Sequence, residues 1–206
     1  MTSSALAEMA SRLQDLGFKK RAGAVFTHEV ADGVLGWLGL NRASRHLPAG
    51  QFEVNPVVGI RHQDIERIVA ELREEKFHAY QPPTVSTPLG YLTPGSRYQA
   101  WILGASDAGA GAEGLIAAVA SFGLPFMESG VGLPELRLLL DKGLGFDHQL
   151  VYRRPVALAV SGDLTRSLQF IDAAEAELGD RGDAAAAELR SFIAAFRERF
   201  RVSPSG

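Results

Sequence analysis

The sequence predicts an α+β protein: an antiparallel sheet of four to five strands covered by helices, followed by a C-terminal helical hairpin. Residues 22–60 are the only long stretch rich in β-forming residues, and amphipathic helical patterns flank it on both sides. Beyond Pro155 the apolar residues recur with helical spacing. We expect an α+β domain over residues 1–153, with residues 154–206 packed on it as a helical segment in one structural unit.

The composition is that of a globular protein, and it excludes several kinds of site. The chain has 206 residues, 46% of them hydrophobic and 22% charged, which suffices for a core without disulfides. The absence of cysteine excludes thiolate zinc sites and cysteine nucleophiles, and it fits the cytoplasm, where we expect the protein. A net charge of −3 indicates no nucleic-acid partner. Because no continuous apolar run reaches about 18 residues, we expect no membrane span.

The first predicted element is an amphipathic helix over residues 4–16. Its apolar residues fall on one stripe, and Gly17 is placed to end it. The cationic residues Lys19, Lys20 and Arg21 follow, where positive charge stabilises the end of a helix.

Asp32-Gly33 lies between two apolar runs and predicts a β-hairpin with a two-residue turn. This turn sets a register in which Val30 pairs with Leu35 and His28 pairs with Trp37. The His28–Trp37 pair is either a titratable ring held against an indole at the mouth of a pocket or an ordinary cross-strand packing pair. We favour the packing pair.

A third strand is predicted over residues 52–60, where apolar residues alternate. Pro56 lacks the N–H group of a ladder and indicates an edge strand or a bulge. The preceding loop carries Arg42, Arg45 and His46. It is either an anion site or a solvated basic loop, and we favour the basic loop.

The segment Leu-Gly-Phe-Lys-Lys at residues 16–20, the hairpin, and Phe-Glu-Val-Asn-Pro-Val-Val-Gly-Ile at residues 52–60 carry a resemblance. Over residues 4–75 the chain resembles a group of uncharacterised bacterial domains that open with a Gly-Phe-Lys-Lys segment. Such domains are met among small cytoplasmic proteins, including some toxin-immunity proteins, so the resemblance implies a protein of this kind. It supplies no catalytic residues. The chain departs from the group at residues 40–44, where Leu-Asn-Arg-Ala-Ser replaces the expected Gln-x-Ser.

A second helix is predicted over residues 62–76, with Asp64 and Glu66 in its first turn, where negative charge suits the helix dipole. His62 lies at the junction of strand and helix. It is either a capping and loop residue, which we favour, or a site residue.

Residues 77–97 form the segment in which we place the function. Its four prolines forbid a helix and most ladder pairing, which predicts a long loop. Such a loop is either a ligand or partner surface or a well-packed connection. Its hydrogen-bonding and stacking side chains suit a surface of the first kind, and they are His78, Tyr80, Thr84, Ser86, Thr87 and Tyr91.

A fourth strand is predicted over residues 98–103, with Trp101 and Leu103 on one face and residues 89–92 beside it. Residues 109–114 then fit the G-x-G-x-x-G pattern of dinucleotide-binding loops. The β-α-β series that should surround this pattern is missing, so we expect no nucleotide and no cofactor.

The rest of the chain is predicted to be helical. A helix over residues 115–122 ends at Gly123, and a short helix begins at Pro134, whose leucines, Leu138 included, are too apolar to be exposed. Two further helices follow, joined by a turn at residues 179–183. We expect this helix pair to dock on the sheet, and the alternative is a homodimer formed through it.

No pattern in the sequence names a reaction or a metal site. We predict a non-catalytic binding or regulatory protein, immunity- or adaptor-like, with an unidentified protein or small-molecule partner. The alternative is a small-molecule enzyme or ligand-binding protein with a pocket beneath residues 77–97. A cleft lined by His28, Trp37, His78 and Tyr80 would favour the enzyme. The candidate binding residues are His28, Trp37, Arg42, Arg45, His62, His78, Tyr80, Tyr91 and Trp101.

Overall fold

The computed structural model describes residues 2–43, 47–104 and 108–200. Its six strands form one antiparallel sheet in the order β1-β2-β3-β4, with β5 and β6 both paired to β4. The strands are β1 (Lys19–Lys20), β2 (Val25–Ala31), β3 (Val34–Ala43), β4 (Gln51–His62), β5 (Val85–Pro88) and β6 (Trp101–Gly104). The α+β class and the antiparallel sheet are therefore confirmed.

Helices follow β4 and β6 and also make up both ends of the described chain. They are α1 (Thr2–Asp15), α2 (Gln63–Leu72), α3 (Ala108–Ala118), α4 (Leu124–Glu128), α5 (Leu133–Asp141), α6 (Asp147–Val160), α7 (Leu164–Leu178) and α8 (Ala184–Arg199). The boundary proposed between residues 153 and 154 falls inside α6.

The inner face of the sheet forms the core. Leu38, Val58 and Ile60 are fully buried there, together with Met9 and Leu13 of α1 and Leu115 of α3. Gly36 of β3 brings α4 close, because a Cβ atom at this position would lie 2.6 Å from the sulfur of Met127. The apolar alternation of the sequence thus marks the face that the helices cover.

The hairpin turn lies at Asp32-Gly33, but the predicted register is wrong. The ladder shifts between Glu29 and Ala31, so His28 pairs with Gly36, and Trp37 pairs with Thr27. Such a bulge changes the face of every residue beyond it. His28 therefore lies on the inner face and Trp37 on the outer face, and the predicted His28–Trp37 pair does not form.

The outer face depends on two glycines for its shape. A Cβ atom at Gly39 would clash with the ring of Trp37, which lies along its own strand. At Gly59, opposite Trp37, a Cβ atom would lie 2.6 Å from the side chain of Pro83. The missing side chains thus let an indole and a proline ring lie close to the sheet.

The segment over residues 77–97 is not one long loop, contrary to the prediction. Val85–Pro88 pairs with β4 as an edge strand, where a proline is tolerated. Leu89–Leu92 is a 3₁₀ turn and not a strand beside β6. Helix α2 ends at Leu72, four residues before the predicted end, and Glu74 then takes a left-handed φ of 53°.

Residues 109–114 lie inside α3, so they form no phosphate-binding loop. Gly111 instead brings the helix against the backbone of Ile102 in β6. The helix does not end at Gly123 as predicted, because a π turn over Val119–Gly123 continues it into α4. The run Gly109–Glu128 is long and apolar enough to cross a membrane, but core helices of ordinary proteins meet the same criterion, and Leu115, Val119 and Met127 are buried here.

The C-terminal helices pack within the chain. The turn at residues 179–183 is confirmed, and α8 buries Phe192, Ile193 and Phe196. The short helix near Pro134 is also present, but Leu138 is 62% exposed, contrary to the prediction. The homodimer through the C-terminal helices stays a prediction.

Candidate functional site

The candidate site lies where residues 77–83 cross the outer face of the sheet. Arg61 projects from β4 beneath this segment and donates hydrogen bonds to the carbonyl oxygens of His78 and Pro82. Gln63 donates to the carbonyl oxygen of Ala79 at 2.8 Å. One buried arginine and one glutamine thus fix the backbone of a segment that has no helix or strand of its own.

Arg61 belongs to a buried triad with Glu66 of α2 and Arg153 of α6. Arg153 donates to both carboxylate oxygens of Glu66, from Nε at 2.7 Å and from Nη2 at 3.1 Å. Nη1 of Arg61 lies 3.4 Å from the same carboxylate. The side chain of Arg61 is 1% exposed, that of Glu66 is 4% exposed and that of Arg153 is 6% exposed. Such bidentate contacts are the strong form of the arginine–carboxylate pair.

The triad holds two positive charges against one negative charge. Burial lowers the pKa of Arg61 to about 10, although the Glu66 carboxylate raises it. The guanidinium group therefore stays charged at neutral pH. Within the described chain, Arg153 donates three hydrogen bonds, from Nε and Nη2 to Glu66 and from Nη1 to Gln149. A guanidinium group carries about five N–H groups. Donors thus remain for a further acceptor.

A cavity of about 210 Å³ opens on this triad. Its walls come from α2, from residues 75–82 and from α6. Its lining holds four cationic side chains and two carboxylates, namely Arg61, Arg73, Lys76, Arg153, Glu66 and Glu75. We call it the basic cavity. Arg73 is partly neutralised by Glu75 and Glu188 and lies 4.2 Å from the ring centre of Tyr152.

Two more hollows flank the same segment. One of about 340 Å³ lies between Trp37, Pro83 and Phe146, and we call it the indole hollow. The other, of about 160 Å³, lies beside Arg21 and Tyr80, where the guanidinium group stacks 3.9 Å from the ring centre. His78 lines all of these spaces, so the predicted functional segment does border hollows.

The predicted cleft of His28, Trp37, His78 and Tyr80 is not formed. His28 lies on the inner face, 5.4 Å from the ring of Phe18, while Trp37 lines the indole hollow and Tyr80 the smaller one. The sheet itself separates His28 from the other residues of this set.

His62 is buried at the N-terminus of α2, but its side chain makes no capping bond. Its Nε2 atom donates instead to the carbonyl oxygen of Gly130 at 2.8 Å. Burial lowers the pKa of His62, and the bond to Gly130 opposes this shift. The geometry thus gives His62 a structural contact between α2 and the residues that follow α4.

The remaining candidates lie apart from the basic cavity. Arg42 borders a hollow beside α1. Trp101 is buried on the inner face, and Tyr91 is exposed on the 3₁₀ turn. Arg45, with its neighbour His46, falls outside the residues that the structure describes.

Few features of the sequence indicated the triad itself. The position of Glu66 in the first turn of α2 was already explained by the helix dipole. Arg61 fitted the alternation of β4 as a residue of the outer face. Arg153 lies 87 residues from its partner Glu66, so no local pattern could connect them. Within the described ranges, no group of three or more His, Asp or Glu residues could hold a metal ion.

No protein-family model, curated protein or solved structure matches the chain.

Proposed function

We propose that the protein is a non-catalytic binding protein that receives the anionic group of a small-molecule ligand, a carboxylate or a phosphate, in the basic cavity. One observation carries the proposal: the floor of this cavity is a buried triad with two arginines and only one carboxylate. The proposal keeps the predicted binding role and uses the predicted pocket beneath residues 77–97. The immunity- or adaptor-like role stays a prediction of the sequence.

The unbalanced charge of the triad favours an anion. Burying a charge without a partner costs free energy, and an entering anion would supply the missing partner of Arg61 or Arg153. The planar fork of a guanidinium group matches the oxygen pair of a carboxylate or phosphate. The arginines are already held by Glu66, Gln149 and backbone carbonyl oxygens, so little side-chain entropy remains to be lost on binding.

The size of the basic cavity supports recognition of a group and not of a whole large ligand. Its volume of about 210 Å³ is below the roughly 300 Å³ at which pockets for drug-sized ligands begin. Lys76, His78 and Gln81 are exposed at its edge. The rest of the ligand would therefore extend past these residues.

The hydrogen bonding of Glu66 supports a binding role over acid–base chemistry. Both of its carboxylate oxygens accept bonds from Arg153, and Arg61 is also in contact. A carboxylate engaged in this way is poorly placed to accept a proton from a substrate.

Thermal unfolding with added inorganic phosphate or succinate, against chloride at equal ionic strength, tests the proposal. Both oxyanions should raise the melting temperature, since a ligand at 100 times its Kd stabilises by about 2.7 kcal/mol. Lys76→Met should weaken the stabilisation because it removes a cation from the cavity edge. The matched variant Lys142→Met, at an exposed lysine after α5, should leave it unchanged.

Equal melting temperatures in oxyanions and chloride would overturn the proposal. So would equal losses in the two lysine variants, since that would indicate a general charge effect on the surface.

A further inference from the structure

We infer a second binding site, in the indole hollow, for a planar heteroaromatic group that carries a hydrogen-bond acceptor. This site is separate from the basic cavity and does not depend on the proposed function. Its volume of about 340 Å³ lies within the range of small-molecule pockets.

The shape of the indole hollow favours a flat group. Its floor holds the ring of Trp37, laid over Gly39, and the ring of Pro83, laid over Gly59. Phe146 closes another side and is 55% exposed, although it is a large apolar residue. Aromatic and proline rings in this arrangement offer flat apolar surfaces, against which a planar ligand can stack.

The polar groups of the indole hollow favour an acceptor on that ligand. The Nε1 atom of Trp37 is buried and has no hydrogen-bond partner within the described chain. A buried donor without an acceptor is costly, and a ligand acceptor would remove this cost. Asn41 of β3 and Ser86 of β5 are the other polar side chains of the sheet in the described lining of the hollow.

The two sites differ in the chemistry that they offer. Two buried arginines form the floor of the basic cavity, whereas the indole hollow has no Lys, Arg, Asp or Glu in its described lining. His78, Gln81 and Pro82 border both spaces, but Arg61 and Arg153 line only the basic cavity. Anion binding and ring binding can therefore be tested independently.

Titration with quinoline, followed by the indole N–H signals in proton–nitrogen NMR spectra, tests the inference. The chain has two tryptophans, so Trp37→Phe assigns the signals by deleting one of them. The Trp37 signal should move saturably with quinoline, with a Kd in the millimolar range expected of so small a ligand. The Trp101 signal should not move, because Trp101 is buried on the inner face. Cyclohexanol, which has a hydrogen-bond acceptor but a non-planar ring, should bind at least several-fold more weakly.

Phe146→Ala should weaken quinoline binding about fivefold, since it removes one stacking wall. The matched variant Leu138→Ala removes another exposed apolar side chain, outside the hollow, and should leave the Kd unchanged. Lys76→Met should also leave quinoline binding unchanged, whatever it does to phosphate.

Three results would each overturn the inference: a Trp37 signal that quinoline does not move, equal binding of cyclohexanol, or a Phe146→Ala variant with the wild-type Kd. Failure of phosphate to bind would overturn the proposed function alone.

Discussion

The two faces of the sheet are built on different principles. The inner face buries leucine, valine and isoleucine side chains against α1, α3 and α4. The outer face buries Thr27 and Arg61 and carries Trp37 and two glycines, and residues 77–83 cover part of it. Burial of apolar surface stabilises the inner face without regard to direction. The outer face depends on directed hydrogen bonds, charge pairing and close backbone approach.

This difference indicates where binding is to be sought. Where apolar side chains are close-packed, they leave little space for a ligand. The hollow of about 300 Å³ beside α1 on this side is lined mainly by apolar residues such as Met9, Phe26 and Leu40. A polar face covered by an irregular segment leaves hollows, and here these hollows border charged and hydrogen-bonding side chains. If the two faces are stabilised in these different ways, substitutions on them should change the stability and the anion binding of the protein differently.

The largest effect is expected from Glu66→Gln. This variant leaves two buried arginines without their carboxylate, and breaking a buried ion pair costs about 3–5 kcal/mol. Urea denaturation should show this loss at low salt. Phosphate should restore more stability to the variant than to the wild-type protein, because the basic cavity gains positive charge.

The double variant Glu66→Leu with Arg153→Leu removes the paired charges together. It should be more stable than Glu66→Gln, since well-packed apolar residues often replace a buried ion pair at no cost. A double variant as unstable as Glu66→Gln would show that packing, and not charge, sets the loss.

Leu38→Ala compares the inner face with the outer face directly. Leu38 is fully buried, so the cavity left behind should cost about 2–5 kcal/mol. Ile102→Ala truncates a half-exposed residue on the outer face of β6 and should change the stability by less than about 0.5 kcal/mol. Equal losses in urea denaturation would contradict the assignment of the faces.

Gly59→Ala tests the close approach on the outer face. Its Cβ atom would lie 2.6 Å from Pro83 and 2.7 Å from the carbonyl oxygen of Val85, so we expect a loss of about 1–3 kcal/mol. Gly109→Ala is the matched control, because nothing lies within 4 Å of its Cβ position. This control lies in the first turn of α3, where it should change the stability by less than about 0.5 kcal/mol. A neutral Gly59→Ala would show that Pro83 does not rest on the sheet.

The smallest change in stability is expected on acidification, through His62 at the end of β4 on the inner face. Burial lowers the pKa of His62 below its ordinary value of 6.5, with Asp64 and Glu66 opposing the shift. The unfolded chain therefore binds a proton first as the pH falls through 6.5, and stability decreases from there until the pH has passed the folded pKa. His62→Gln should show a smaller decrease between about pH 7.5 and 5 in urea denaturation. If the variant lost as much stability as the wild-type protein over this pH range, His62 would be excluded as the source of the loss.

The same contrast between faces explains what the sequence could predict. The strand alternation of Phe52, Val54, Val58 and Ile60 predicted the inner face, because apolar burial leaves a periodic pattern. The hairpin turn was predicted from Asp32-Gly33, a dipeptide typical of two-residue turns, between two apolar runs. The register was not, since the bulge near Val30 has no distinct residue signal.

The outer face left no comparable pattern. Proline rules argued against a strand at residues 85–88, but an edge position tolerates Pro88. The triad joins Arg61 and Glu66 to Arg153 across distant parts of the chain, so it depends on tertiary structure. Periodicity predicts which residues avoid water, but it does not predict which charged residues meet.

A crystal structure of the protein soaked in sodium selenate would show whether the basic cavity binds an oxyanion, because selenium marks the oxyanion by its anomalous scattering. We expect an anomalous peak in the basic cavity, within hydrogen-bond reach of Arg61 or Arg153, and a weaker peak in the Lys76→Met variant. Selenate found only at surface lysines such as Lys19 and Lys20, or equally occupied in the variant, would contradict this expectation.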